Sequence, residues 1–212
     1  MFTLITQLSS PPYQYHPIHL LFTSKTTATM VSFKTLLFYF ATTSTSVISA
    51  APLTDRTIIT PDTLISDIHY IDLGVKALTA TLNSYNGNIL DAAPIVVDIT
   101  AIHLANRKGY VDANLASKFN LDDSNRIIDF TVSSVGVDIP ASVEVLKSKK
   151  ADFSEDDLTT IVLAGLKVLK NDHDTFSAAL AAKIVADVVP RANVVIQEID
   201  DALQSAIDYF SS

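Results

Sequence analysis

The 212-residue chain is apolar and acidic: 48% of its residues are hydrophobic and 18% charged, and 15 Lys+Arg against 23 Asp+Glu leave a net charge of −8. That length favours one domain, the composition excludes an intrinsically disordered chain, and the negative charge argues against nucleic acid, whose phosphates are held by Lys and Arg. There is no cysteine, which excludes disulfide frameworks, Cys-ligated zinc and thiol catalysis.

Residues 1–50 contain Lys25 and Lys34 and no acid, so the acidity belongs wholly to 51–212. Met30 and Lys34, the apolar run Leu36–Ala41 and the small-residue end Val47–Ala51 have the layout of a secretory signal peptide over 30–50. Cleavage is expected after Ala50 or Ser49. The apolar run is far shorter than the roughly 20 residues that a membrane-spanning helix needs. Residues 1–29, with Pro11, Pro12 and Pro17, make a poor helix start and read as an upstream extension before the true start at Met30. The domain is then 51–212, long enough to bury about 70% of the surface of its unfolded chain.

From Asp62 the apolar residues Leu64, Ile68, Ile71, Val75, Leu78 and Leu82 follow steps of 3 and 4, one face of an amphipathic helix. Pro61 and Asp62 start it and Asn86-Gly87 stop it. A second helix begins near Asp91 with Ile95, Ile99 and Ile102 on one side. Gly109 is its weak point, and Ala113–Phe119 either continues it or forms a short separate helix. Over 125–139, Ile128, Phe130 and Val132 alternate as in a strand. The longer pattern Ile128, Val132, Val135, Ile139, Val143, Leu146 keeps helical spacing and favours a helix kinked at Pro140. Ser154, followed by Glu155, Asp156 and Asp157, is expected to cap the next helix, with Leu158, Val162, Gly165, Leu169, Phe176 and Leu180 inward. After a break at Val188–Val189, Pro190 opens a last helix lined by Ala192, Val195, Ile199, Leu203, Ile207 and Phe210. The expected fold is all-α, an up-and-down bundle of five or six amphipathic helices.

No signature of an enzyme is visible: there is no G-x-S-x-G, P-loop, G-x-G-x-x-G or H-E-x-x-H. Asp172-His173-Asp174 is the one tight acid–imidazole cluster, and adjacent helical positions diverge by about 100°, so it reads as a solvated patch with no metal site. Lys147, Lys149 and Lys150 form the one basic cluster of the domain, read as cations at a helix C-terminus. Catalysis and cofactors are therefore not expected. The wide apolar stripes suit either a packed core or an enclosed pocket. The candidate lining comprises Ile68, Ile71, Val75 and Leu78; Ile99 and Ile102; Val135, Ile139 and Val143; Val162, Gly165, Leu166, Leu169, Phe176 and Leu180; and Ile199 and Leu203. Lys76, Lys167, Ser66 and Thr79 are candidate donors to a ligand carboxylate.

The order Leu146-x-x-Lys149-Lys150-x-x-Phe153, Val168-Leu169-Lys170 and Asp174-Thr175-Phe176-x-x-Ala179-Leu180-x-x-Lys183 resembles the fungal hydrophobic surface-binding protein A family, which includes cell-wall galactomannoproteins. Asp67-Ile68 and the closing Asn86-Gly87 extend the resemblance over about 55–210. It implies a secreted helical bundle that binds fatty acids in an apolar interior or adsorbs to hydrophobic surfaces, in some members assisting a secreted esterase. It transfers no catalytic residue. Wall-anchored members carry a Ser/Thr-rich tail where this chain ends at Ser212, and 51–212 has no N-x-S/T sequon, so a soluble secreted form is expected. The alternative is a protein-interaction module that recruits a secreted hydrolase or meets a host protein.

Overall fold

The computed structural model describes residues 58–212; the signal peptide and the upstream extension expected from the sequence lie outside them. Among the described residues the chain forms α1 (Pro61–Ser84), α2 (Ala93–Leu115), α3 (Leu121–Ser133), α4 (Val135–Ser148), the short α5 (Lys150–Glu155), α6 (Thr159–Ala181) and α7 (Val189–Ser211), with no strand. The all-α bundle expected from the periodicity is what forms.

The helix starts follow local chemistry. Thr60 and Thr63 make a reciprocal capping box before α1, with Pro61 in the first turn. Asn120 Oδ1 accepts from the Asp123 amide at 2.8 Å to cap α3, and Asp122 and Asp123 sit in its first turn, where the helix dipole favours acids.

Five long helices close into a ring: α1 packs on α2, α2 on α6, α6 on α7, α7 on α4 and α4 on α1. In chain order they alternate in direction, since α1, α4 and α7 climb from the Ile68–Val135–Val195 level to the Leu78–Leu146–Leu203 level while α2 and α6 descend. Close approach in the ring requires small residues. A Cβ at Gly74 would lie 2.8 Å from Ile102, and one at Gly109 would lie 2.8 Å from the Phe176 ring.

Both ends of the ring are closed. At the lower end α3 packs on α1, α4 and α7, and Ser124, fully buried, accepts from the Val185 amide. At the upper end Tyr85 stacks on Phe153 with centroids 4.7 Å apart, and Phe153 meets Phe210 edge-on. The lysine cluster serves this end. Lys149 Nζ donates to the Tyr85 carbonyl and Lys150 Nζ to that of Tyr209, each at 2.6 Å, so these cations neutralise the C-terminal carbonyls of α1 and α7.

Three local expectations are corrected. The break in 125–146 falls at Ser134 (φ −118°, ψ −99°), and Pro140 sits inside α4. Thr131, Ser133 and Ser134 each bond a carbonyl one turn back, and such back-bonding bends helices. Ser154 caps nothing: its hydroxyl donates to Lys150 O within α5. The chain turns at Asp157 (φ 58°), and Leu158 precedes α6 without a side-chain cap. Burial of Phe153 against Tyr85 and Phe210 draws this segment into a helical turn. Gly109 is not a weak point but the place where α2 admits the Phe176 ring; α2 continues past it to Leu115.

Candidate functional site

The ring does not pack solid. Two cavities of about 60 Å³ each lie one above the other along its axis. The upper chamber is lined by residues of α1, α2, α4, α6 and α7, from Leu78, Leu146, Val162 and Leu203 down to Asn106 and His173. The lower is lined by α1, α3, α4, α6 and α7, with Asn106 of α2 and Ile184 of the α6–α7 turn. Four residues belong to both walls and form the waist between them: Ile71, Asn106, Ile139 and His173. No described Asp, Glu, Lys or Arg lines either chamber.

The sequence-derived lining falls into two groups along this axis. Val75, Leu78, Ile99, Ile102, Val143, Val162, Leu166, Leu169 and Leu203 line the upper chamber. Ile68, Val135, Phe176, Leu180 and Ile199 line the lower, with Ile71 and Ile139 at the waist. Gly165 lines neither. It abuts Ile99, whose Cδ1 would be 3.2 Å from an added Cβ, so this glycine serves the α2–α6 crossing. The candidate lining omits the polar residues Asn106, Ser142 and His173, Thr131 of α3, and Ile128, which the helical pattern through Val132 and Val135 includes. Asn106 and Ser142 could have been found by extending the inward faces, since each follows an inward isoleucine (Ile102, Ile139) at helical spacing.

The waist is polar but uncharged. Asn106 is 7% exposed, and its Nδ2 donates to Ile102 O at 2.9 Å. His173 Nε2 lies 3.1 Å from Ile196 O. A carbonyl only accepts, so Nε2 carries the hydrogen. Burial pushes the imidazole below its ordinary range, opposed by the Ile196 hydrogen bond and the nearby Asp174 and Asp200, and the ring is neutral at pH 7.

Around the chambers, buried acids tie the helices together. Lys108 Nζ of α2 donates to Asp67 Oδ1 of α1 at 2.5 Å and to Asp112 at 2.7 Å. Lys76 joins Asp72 (2.7 Å) to Asp138 of α4 (3.2 Å). His103 Nδ1 of α2 lies 2.6 Å from Asp172 Oδ2 of α6. Burial raises the carboxyls of Asp67, Asp72 and Asp172 above the usual range, against the pull of Lys108, Lys76 and His103 respectively. The 172–174 cluster is thus not a solvated patch, because Asp172 is buried on the α2 side. His173, Asp174 and Asp200 come close enough together to hold a metal, but Lys170 Nζ bonds both Asp174, at 3.2 Å, and Asp200. The ammonium already supplies the cation there. Of the candidate carboxylate donors, Lys76 is committed to its acids and Thr79 to Val75 O; neither these two nor Lys167 or Ser66 lines a chamber.

A second apolar feature faces outward. Val97, Leu104, Val111 and Leu115 of α2 are between 50% and 70% exposed. With Pro94, Ala101 and Lys108 they follow steps of 3 and 4 along a stripe of about 30 Å. Lys108, the one charge in it, is tied to Asp67 and Asp112.

Ring and chambers together define an all-α bundle protein whose interior is uncharged among the described residues and, outside the waist, largely apolar. The chain belongs to the hydrophobic surface binding protein A family, whose pattern matches residues 61–182, more than half of its length. No curated protein matches it in sequence. Its fold is similar to that of Afmp4p, solved in complex with palmitic acid, at 25% identity and a TM-score of 0.69 over 71% of this chain and 99% of that one. It is also similar to ligand binding domain 1 of the Penicillium marneffei MP1 protein, complexed with arachidonic acids (21% identity, TM-score 0.66, 69% of this chain and 95% of that one). Ligand binding domain 2 of the same protein, complexed with multiple arachidonic acids, aligns at 16% identity with a TM-score of 0.66, over 69% of this chain and 93% of that one. No described helix is long and apolar enough to cross a membrane.

Proposed function

We propose that this is a secreted, non-catalytic protein that takes up a long-chain fatty acid in its two adjoining chambers. The observation that carries the reading is the interior itself: two cavities share a waist, aliphatic side chains from every helix of the ring line them, and no charge does. Neither cavity of about 60 Å³ holds a whole chain, so uptake joins them through the waist by rotamer shifts of Ile71 and Ile139. Burying about 14 methylenes at ~0.8 kcal/mol each gives ~11 kcal/mol gross. Association costs of several kcal/mol then bring the affinity toward micromolar. The likeness to Afmp4p, a palmitic acid complex at 25% identity, supports this ligand class, and the leader over 30–50 supports secretion. Titrating palmitic acid against the purified protein, with displacement of a fluorescent fatty acid as the signal, tests it. Saturable uptake near one ligand per chain is expected, and no displacement at tens of micromolar would refute it.

The outer stripe of α2 favours a second role, adsorption to an extended hydrophobic surface, in keeping with the family's description. A row of half-exposed aliphatic residues about 30 Å long lies flat on such a surface without unfolding the ring. Recruitment of a secreted esterase to a polyester would act through this face. Depletion from solution by polystyrene or polyester beads is the measurement, and a stripe carrying charged substitutions should lose it.

A further inference from the structure

The waist is more specific than a fatty acid tail needs. Asn106 Nδ2 must face Ile102 O, because that carbonyl only accepts, and this fixes the orientation of the amide. Its Oδ1 then receives no hydrogen bond from any described residue, although the side chain lines both chambers and is 7% exposed. One turn beyond Ile139 on α4, Ser142 is 5% exposed, lines the upper chamber, and has no hydrogen-bond partner among the described residues. An acceptor and a hydroxyl therefore stand unpaired in an apolar interior, where leaving polar groups unpaired is unfavourable.

Chemistry limits what completes them. A carboxylate accepts only, so it cannot satisfy Asn106 Oδ1. A hydroxyl fits, since it donates to Asn106 Oδ1 and accepts from Ser142. Position selects it further. On α6 the chamber walls run from Val162 to His173 and from His173 to Ala181, about 16 Å and about 12 Å at 1.5 Å per residue. An extended chain advances about 1.3 Å per carbon, given C–C bonds near 1.5 Å. A chain of 18 carbons, about 22 Å long, with one end at the floor of the lower chamber thus brings a carbon near its middle to the waist.

From this we infer that the preferred ligand is a long-chain fatty acid bearing a hydroxyl near mid-chain, which Asn106 holds at the waist between the two chambers and Ser142 meets from the wall of the upper chamber. The inference rests on the fatty-acid reading above, and the experiment separates the two. Dissociation constants for stearic acid, 10-hydroxystearic acid and 2-hydroxystearic acid are measured on the full domain by displacement of a fluorescent fatty acid. The mid-chain hydroxyl should tighten binding over stearic acid roughly three- to ten-fold, and the hydroxyl beside the carboxyl should not. In Asn106→Leu the ratio of the stearic to the 10-hydroxystearic constant should fall to one or below, whatever either affinity does alone. Ser142→Ala, which removes a single oxygen, should lower the same ratio and serves where Asn106→Leu does not fold. Stearic acid bound as well as or better than 10-hydroxystearic acid by the unmodified protein overturns the inference and leaves the fatty-acid reading standing. The same holds if both hydroxy acids gain equally, or if the ratio survives the substitutions. Uptake of none of the three overturns the fatty-acid reading and the inference with it.

Discussion

Ile95, Ile99 and Ile102 on one side of α2 and Val97, Leu104 and Val111 on the other are chemically alike and interleaved in sequence, yet they meet different surroundings. Ile95 and Ile102 are buried in the ring, and Ile99 and Ile102 wall the upper chamber; the other three face outward, half-exposed. The inner side closes on protein and leaves a void, whereas the outer side leaves a stripe that no described residue covers. One helix therefore serves two apolar environments, and its hydrophobicity alone does not say which face is core. The two proposed roles, a lipid within and a surface without, map onto these two sides and are separable by substitution.

The largest effect should come from blocking the interior. Ile139→Trp places a bulky ring at the waist shared by both chambers. Fatty acid uptake should fall at least about ten-fold, with overpacking costing about 1–3 kcal/mol of stability. Circular dichroism should still show the helices, and adsorption to beads should persist. Next is the α2–α6 contact. Gly109→Leu forces a side chain into the Phe176 ring, where even a Cβ would come within 2.8 Å. About 1–3 kcal/mol should be lost, lowering Tm by about 2–4 °C per kcal/mol in a thermal melt. The outer side is tested by Leu104→Glu with Val111→Lys. Stability should change by no more than about 0.5 kcal/mol per site, while bead adsorption drops about ten-fold and fatty acid uptake holds.

The smallest effect concerns pH. Burial raises the Asp172 carboxyl, so the folded state binds its proton more tightly than the unfolded one. This contribution to stability is fully present below the unfolded value of 3.8 and is lost as pH rises through the raised folded value. Asp172→Asn removes that titration and keeps an oxygen beside His103. Its stability should decline less between pH 4 and pH 7 than that of the unmodified protein, measured by urea unfolding across that range.

Much of this was legible in the sequence. The inward stripes of α1, α4, α6 and α7 are long and regular, and every aliphatic or aromatic residue assigned to the lining from them faces a chamber. Gly165 was misplaced because smallness signals room for a guest and a close helix crossing alike, and only the position of Ile99 decides between them. The break at Ser134 hid behind Pro140, since proline is the stronger local signal and hydroxyl back-bonding the weaker. Asn106 escaped because a polar residue on an inward face interrupts the pattern that periodicity seeks. It is the residue with the most to say about the ligand.

The central claim is that the ring encloses a lipid. Mass spectrometry of organic extracts from the purified protein, beside an unrelated protein purified in the same way, tests it most directly. Fatty acid at near one mole per mole of chain, absent from the control and lost in Ile139→Trp, is the predicted result. A clean extract, with no uptake of added palmitic or 10-hydroxystearic acid, would contradict it and leave the outer face of α2 as the functional surface.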